Sequence, residues 1–182
     1  MNKSQGSVLL VSLVMLLIMT VAGLTAIKMS SLEEKVSGNY LNQQIAFQAA
    51  EIALLEAENQ ISNTLLNLND FDANCSAGFC FHGNDVTDIG SCSPGSFTPW
   101  SEGAVWTTSS RHNTTTLVVD GVSAKARYII EFRCYIAREA DGPLPDLKNP
   151  EDWAQYFRIT ALATGGTSDA RVMLQTTYKK NS

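Results

Sequence analysis

No proline occurs before Pro94, and no charged side chain occurs between Lys3 and Lys28. The first absence removes the strongest helix breaker from the front half of the chain. The second leaves Ser7–Ile27, SVLLVSLVMLLIMTVAGLTAI, as 21 uncharged residues in a row. Basic residues are few and scattered. Thirteen Lys and Arg face eighteen Asp and Glu, for a net charge of −5 over 182 residues. Without a basic stripe the chain lacks the footprint that phosphate backbones need, so no nucleic-acid partner is expected. No serine or cysteine stands with a recognisable base and orienting group, so no catalytic residue and no cofactor is expected either.

What is present begins with the apolar run. At helical rise it reaches about 30 Å, the thickness of a bilayer's hydrocarbon core. A secretory signal has a shorter apolar core, with its cleavage site after it. Here the small pair Gly6-Ser7 comes before the core. That order fits a short leader, residues 1–6, clipped on the cytosolic side while residues 7–27 are kept as an anchor. Two other readings exist: an ordinary anchor with no processing at Gly6, and a cut near Leu24-Thr25-Ala26 that releases a soluble protein. Lys3 and the amino terminus favour the cytoplasm, so residues 28–182 are expected on the far side of the membrane. Lys28 weakens that asymmetry slightly.

Residues 28–68 continue as helix in this reading. Apolar residues recur at Ile45, Phe47, Ala50, Leu54, Ala57, Ile61, Leu65 and Leu68, mostly three or four apart, with Glu51, Glu56, Glu58 and Gln60 between them. That is an amphipathic stripe. One helix from Ser7 to Asn67 would be about 90 Å long. Its weak point is Ser37-Gly38-Asn39, where glycine costs up to about 1 kcal/mol. Asn67, Asn69, Asp70 and Asp72 supply a polar stop.

Residues 70–115 read as a loop region holding three of the four cysteines, with short strands at Val105-Trp106 and Leu117–Val119. A long irregular stretch in a compact domain is usually functional or cross-linked. Cys75, Cys80, Cys92 and Cys134 make an even count in an exported domain, which implies two disulfides. Three pairings are open. We favour Cys75–Cys80 with Cys92–Cys134, because a four-residue spacer closes a tight loop and Cys134 needs a long-range cover. Cys75-x4-Cys80-x-His82 resembles part of a zinc site. Adding Cys92 and His112 gives no recognisable ligand spacing, so no metal is expected. Asp141, Asp146, Glu151 and Asp152 lack the spacing of a calcium loop. They lie in an acidic, proline-containing connection, Asp141–Trp153, expected to be exposed.

Residues 116–180 alternate. Tyr128, Ile130, Phe132, Cys134 and Ile136 share one face, with Arg127, Glu131 and Arg133 opposite. Phe157, Ile159, Ala161 and Ala163 share another, with Arg158 and Thr160 opposite; Val172, Leu174 and Tyr178 form a third. Period two means half-buried antiparallel strands. Thr164–Asp169 reads as a hairpin connection. Glu51 and Glu131 are assigned to solvated faces. The sheet's apolar face needs a cover, and the helix stripe supplies it. Phe47, Leu54, Ile61 and Leu65 are expected to face Ile130, Phe132, Ile159 and Leu174. The fold class is therefore α+β: a long N-terminal helix, membrane-spanning then amphipathic, packed on a small antiparallel sheet.

Several segments together carry a resemblance. Gly6 and the retained helix are followed by Leu32-Glu33-Glu34-Lys35, Gly38-Asn39 and Ala46-Phe47-Gln48-Ala49-Ala50-Glu51; further on come Arg127-Tyr128-Ile129-Ile130-Glu131 and Tyr156-Phe157-Arg158-Ile159-Thr160-Ala161. These resemble the PilX family of type IV minor pilins, over 5–58 and more loosely over 125–178, with nothing similar in 70–115. The resemblance implies a pilin fold and no enzymatic activity. It implies cleavage after Gly6 by prepilin peptidase and N-methylation of Ser7. It also implies residence in the inner membrane with the domain in the periplasm, then a place at the pilus tip. The implied partners are other minor pilins, the major pilin and a large non-pilin tip protein.

Val11 departs from the pattern. Type IV pilins usually carry glutamate at that position of the mature chain, thought to neutralise the methylated amine of the subunit laid down before. A subunit that starts a filament has no predecessor to neutralise; drift in a low-copy subunit is the plainer reading. Two alternatives differ in class: a minor pseudopilin of a type II secretion system, which differs in partners, and a membrane-anchored periplasmic enzyme, which requires a convergent polar cleft.

Overall fold

The computed structural model describes residues 5–81, 92, 98–119, 121–141, 146 and 148–181, the side chains of residues 5–7 and 150 excepted. The expectations on the first four leader residues, on His82 and on Pro143 and Pro145 lie outside them. Helix α1 runs Gln5–Asn63, and the chain divides into two compact units, Met1–Leu41 and Asn42–Ser182.

In the first unit the described residues are all α1, continuous through Gly38. Its large apolar side chains from Val8 to Leu41 are exposed. The helix is long and apolar enough to cross a membrane. The hydroxyls of Ser12, Thr20 and Thr25 donate to the carbonyls of Leu9, Leu17 and Ala22 at 2.9, 2.8 and 2.8 Å. Those polar groups are thus satisfied without water, as hydrocarbon demands.

The second unit holds α1 from Asn42 onward and a five-stranded sheet. Its strands are β1 (Phe79–Phe81), β2 (Asn113–Val119), β3 (Val122–Ala137), β4 (Trp153–Thr164) and β5 (Arg171–Asn181), and a short helix α2 spans Gly103–Thr107. The order is β1-β3-β4-β5, with β2 also paired to β3. All pairs are antiparallel except β1 with β3. The architecture is the expected α+β, with one parallel strand added from the cysteine-rich stretch.

The helix covers one face of the sheet with most of the expected stripe: Ile45, Ala50, Ala57 and Ile61 are buried, and Leu54 and Leu68 pack at the margin. Ile45, Ala49, Ala50, Ala53, Ala57 and Ile61 share a core with Ala126, Tyr128, Ile130, Phe132, Phe157, Ile159 and Ala161. Ile61 is buried and Leu54 packs at the margin as expected, whereas Phe47 is 39% exposed and Leu65 90% exposed. At 100° per residue Phe47 points about 200° away from Ile45 and Ala49. Leu65 lies past the end of the helix at Asn63. Alanine at the contact lets helix and sheet backbones approach closely, and Phe71, Phe132 and Phe157 fill the space beyond, with ring centroids 5.7–5.9 Å apart. Ala53→Leu should therefore cost about 1–3 kcal/mol by overpacking, and Phe47→Ala no more than about 0.5 kcal/mol. Thermal melting of the full chain in detergent checks this; the opposite ranking would restore the large-residue stripe.

Helix α1 ends where a cation is available. The Lys180 ammonium donates to the carbonyls of Ile61 and Thr64, both at 2.6 Å, satisfying acceptors that the last turn leaves orphaned. At the other end of the unit, Asn42 holds the β4–β5 connection. Its side chain bonds the Thr167 hydroxyl and accepts from the Thr167 amide. A Cβ at Gly165 would collide with the Asn42 carbonyl, so the glycine is needed for that approach.

The opposite sheet face is not solvated at its centre. Cys75, Cys80, Val105, Trp106 and Ile129 form a second core there, with Trp100 and Leu162 at its margin. Val105-Trp106 is helical, in α2, rather than a strand. Trp106 donates its indole proton to the Trp100 carbonyl at 2.9 Å, and tertiary packing overrides the strand preference of this pair.

Candidate functional site

The N-terminal positions lie on α1. Gly6 and Ser7 belong to its first turns. Val11 is 56% exposed, and neither its own turn nor the helix's first turn carries an acid.

The cysteines are joined as Cys75–Cys80 and Cys92–Cys134. The register of β3 decides how Cys134 meets its partner. Strict alternation puts Cys134 on the core face with Phe132. The pairing instead shifts at Arg133, so that Phe132 opposes Phe157 while Cys134 opposes Tyr156. One extra residue turns every later side chain to the other face. Tyr135 takes the place in the aromatic core, 5.2 Å from Phe132 between ring centroids, and Cys134 faces the side bearing the second core. Cys75–Cys80 closes a tight turn. Cys75 and Ala77 both adopt left-handed φ of 57° and 51°, a conformation that disfavours residues other than glycine. Asp72 holds the turn. Burial pushes its carboxyl up, but hydrogen bonds from the Ser76 hydroxyl and amide and the Asn74 and Cys75 amides outweigh this and hold it below 3.8.

The face of β3 that bears Glu131 carries a charge cluster. Glu131 is 2% exposed, not solvated as its alternation implies. One carboxylate oxygen accepts from Arg158 Nε and Nη2 at 3.0 and 2.6 Å, and the other is paired with Arg133. Arg158 is Glu131's cross-strand partner, so that contact was readable from register. The Arg133 contact was legible too, because alternation puts Arg133 on Glu131's face. Arg133 also reaches the Cys92 carbonyl at 3.5 Å. Nearby, Arg127 donates to the Trp106 carbonyl at 2.8 Å. His112 is buried, with Nδ1 2.8 Å from the Val105 carbonyl. Every one of these polar groups is matched to a structural partner. Glu51 is exposed on α1 and does not join Glu131.

Among the described residues Tyr128 is the one strongly perturbed acid. Burial first, and the negative charge of Glu56 second, push its phenol up to about 12, and its hydroxyl donates to Gln60 Oε1 at 3.2 Å. Because the neutral form is favoured in the folded state, this stabilisation is complete below pH 10 and lost as pH rises toward 12.

Among the described residues no group of three or more His, Cys, Asp or Glu side chains converges as metal ligands. The four cysteines are in disulfides and offer no thiolate. The described residues present an exposed apolar helix and a domain whose buried Glu131 and His112 are matched within it.

Comparison with known families agrees with this. The family model described as PilX N-terminal matches residues 5–55, and that described as type IV pilus assembly protein PilX C-term matches residues 76–180, more than half of the chain. The second match runs through 76–115, where no resemblance is visible by motif. No curated protein and no solved structure matches the chain.

Proposed function

Because the chain belongs to the PilX family of type IV pilus assembly proteins, its role is that of a minor pilin in pilus assembly, and we propose that it acts in the complex that starts the filament. It is a structural subunit rather than an enzyme, with one apolar N-terminal helix able to span a membrane. In this proposal the leader, residues 1–6, is removed by prepilin peptidase and Ser7 is N-methylated. The anchor keeps its N-terminus toward the cytoplasm and places the domain in the periplasm. From there the subunit joins other minor pilins, the major pilin and a large non-pilin tip protein. The step is one of packing: an apolar helix exchanges lipid for similar helices at modest cost.

Val11 carries the tip reading. A carboxylate in hydrocarbon is costly unless paired, and a subunit with valine there offers no partner to a preceding amine. A first subunit needs none. Deletion of the chain should cut pilus number sharply, and gold-labelled antibody should mark tips or single points. Val11→Glu should bring no gain in incorporation. Labelling along the whole shaft, or increased incorporation of Val11→Glu, refutes initiation and leaves Val11 as drift.

The processing step makes its own prediction. Gly6→Val places a branched side chain at the residue before the cut, which must be small. Intact-mass measurement should find the variant carrying residues 1–6, and the unaltered chain beginning at methylated Ser7. A mature chain that starts near Ile27 would overturn the retained anchor.

A further inference from the structure

Strand β5 forms one edge of the sheet. All eleven of its residues, Arg171–Asn181, pair with β4 without a register shift, and no described strand lies on its other side. The Gly165 amide bonds the Ala170 carbonyl at 3.0 Å. Hydrogen-bonded and non-bonded pairs alternate along an antiparallel ladder. It follows that residues 172, 174, 176, 178 and 180 exchange bonds with β4. Met173, Gln175, Thr177 and their odd-numbered neighbours turn their backbone amides and carbonyls outward.

Proteins usually guard such an edge with a charge, a proline or a bulge. Here the segment Val172–Tyr178 has no charge and no proline, and the ladder has no bulge. The cations at the strand's ends are drawn to the molecule's own carbonyls. Arg171 Nε reaches Ser168 at 3.1 Å, Lys179 reaches Ala137 and Arg138 at 3.0 and 2.6 Å, and Lys180 caps α1. They hold the strand in place, and among the described residues no strand takes up its outward backbone. Along the inner face Val172, Leu174 and Tyr178 remain only partly buried, as residues at a margin do when another strand can cover them.

We infer that β5 is the docking edge for a β-strand of a second, non-identical pilin-like subunit, uncharged at its middle and acidic near its ends. Charge selects the occupant. The strand carries Arg171, Lys179 and Lys180 and no acid, on a chain whose net charge is −5. A second copy of β5 would bring three more cations and no carboxylate, and like charges across a strand pair are unfavourable. A partner strand with carboxylates near both ends pairs with these cations while its main chain takes up the outward amides. The inference rests on the pilus-assembly reading for the identity of the partner class.

The test uses the full chain in cells that build its own pilus. A photo-crosslinking side chain replaces Met173, and a second probe replaces Leu16 on the apolar helix. Adducts are identified by mass spectrometry. The Met173 probe should join a different pilin-like subunit. Thr177→Pro removes one outward amide and no bond to β4, and should lower that adduct at least tenfold while both disulfides and the melting temperature are kept. Arg171→Glu, which leaves the backbone alone, should lower it severalfold. Thr176→Pro, which breaks the β4 ladder, should instead unfold the domain. An adduct with a second copy, or one unchanged by Thr177→Pro and Arg171→Glu, overturns the edge assignment. If the Leu16 probe reaches pilus subunits and the Met173 probe reaches none, the edge fails and the pilus reading stands. If neither probe reaches a pilus subunit, the pilus reading fails first.

Discussion

Replacing both Cys92 and Cys134 with alanine should remove roughly 4 kcal/mol of stability, against roughly 2 kcal/mol from loop closure for the Cys75–Cys80 pair. The difference comes from the residues each bridge spans, 42 apart in sequence against 5. The longer loop has more unfolded-state freedom to lose. In a domain of this size the larger loss corresponds to a fall in melting temperature of roughly 8–16 °C. The expected order is long bridge before short, read by calorimetry on the oxidised full chain in detergent and on each double variant. The Cys92–Cys134 bridge also fixes the segment whose carbonyl meets Arg133, so its loss should expose the charge cluster. Non-reducing peptide mapping of the unaltered chain should recover both bridges, and alkylation before reduction should label no cysteine. Equal losses for the two pairs would mean that the short bridge acts chiefly through packing in the second core.

Glu131→Ala should cost about 3 kcal/mol. Breaking a buried ion pair by removing one partner typically costs about 3–5 kcal/mol. The lower figure applies because the Arg133 and Arg158 side chains keep 12% and 19% of their surface exposed, so water screens part of the loss. Two guanidiniums would be left facing each other across adjacent strands with no counter-charge. Melting should fall by roughly 6–12 °C, and Glu131→Gln should fall between alanine and the unaltered chain. A loss below about 0.5 kcal/mol would place Glu131 on a solvated face.

The alternation reading of β3 misses in two ways. Period-two reading assigns each residue of β3 to a face and is right from Ala126 to Phe132. It misses the extra residue at Arg133, because nothing in RCYI marks a bulge. From there the faces invert, Tyr135 enters the aromatic core and Cys134 turns to the other side. The second miss concerns depth. Alternation shows that one face is apolar, but it does not reveal that the opposite face is roofed by α2 and the Cys75–Cys80 turn. Ile129 is buried there against Cys75, Cys80, Val105 and Trp106, all distant from it in the chain. The helix stripe missed at Phe47 and Leu65, and overlooked Ala49 and Ala53, for a related reason. Large apolar residues draw the eye, whereas close packing against a sheet favours alanine, and Phe47 is left at the surface.

The sequence by itself determined the long apolar N-terminal helix, the existence of three long antiparallel strands, the even cysteine count and the family. The first three rest on local composition and periodicity, which act over a few residues; the family rests on the resemblance carried by the motifs of 5–58 and 125–178. Only the tertiary structure decided that Phe47 and Leu65 are left out of the buried face of α1, which way Cys134 points, what neutralises Glu131 and which strand is left as an edge. Each of these depends on register and on contacts between distant segments, where a shift of one residue reverses the outcome.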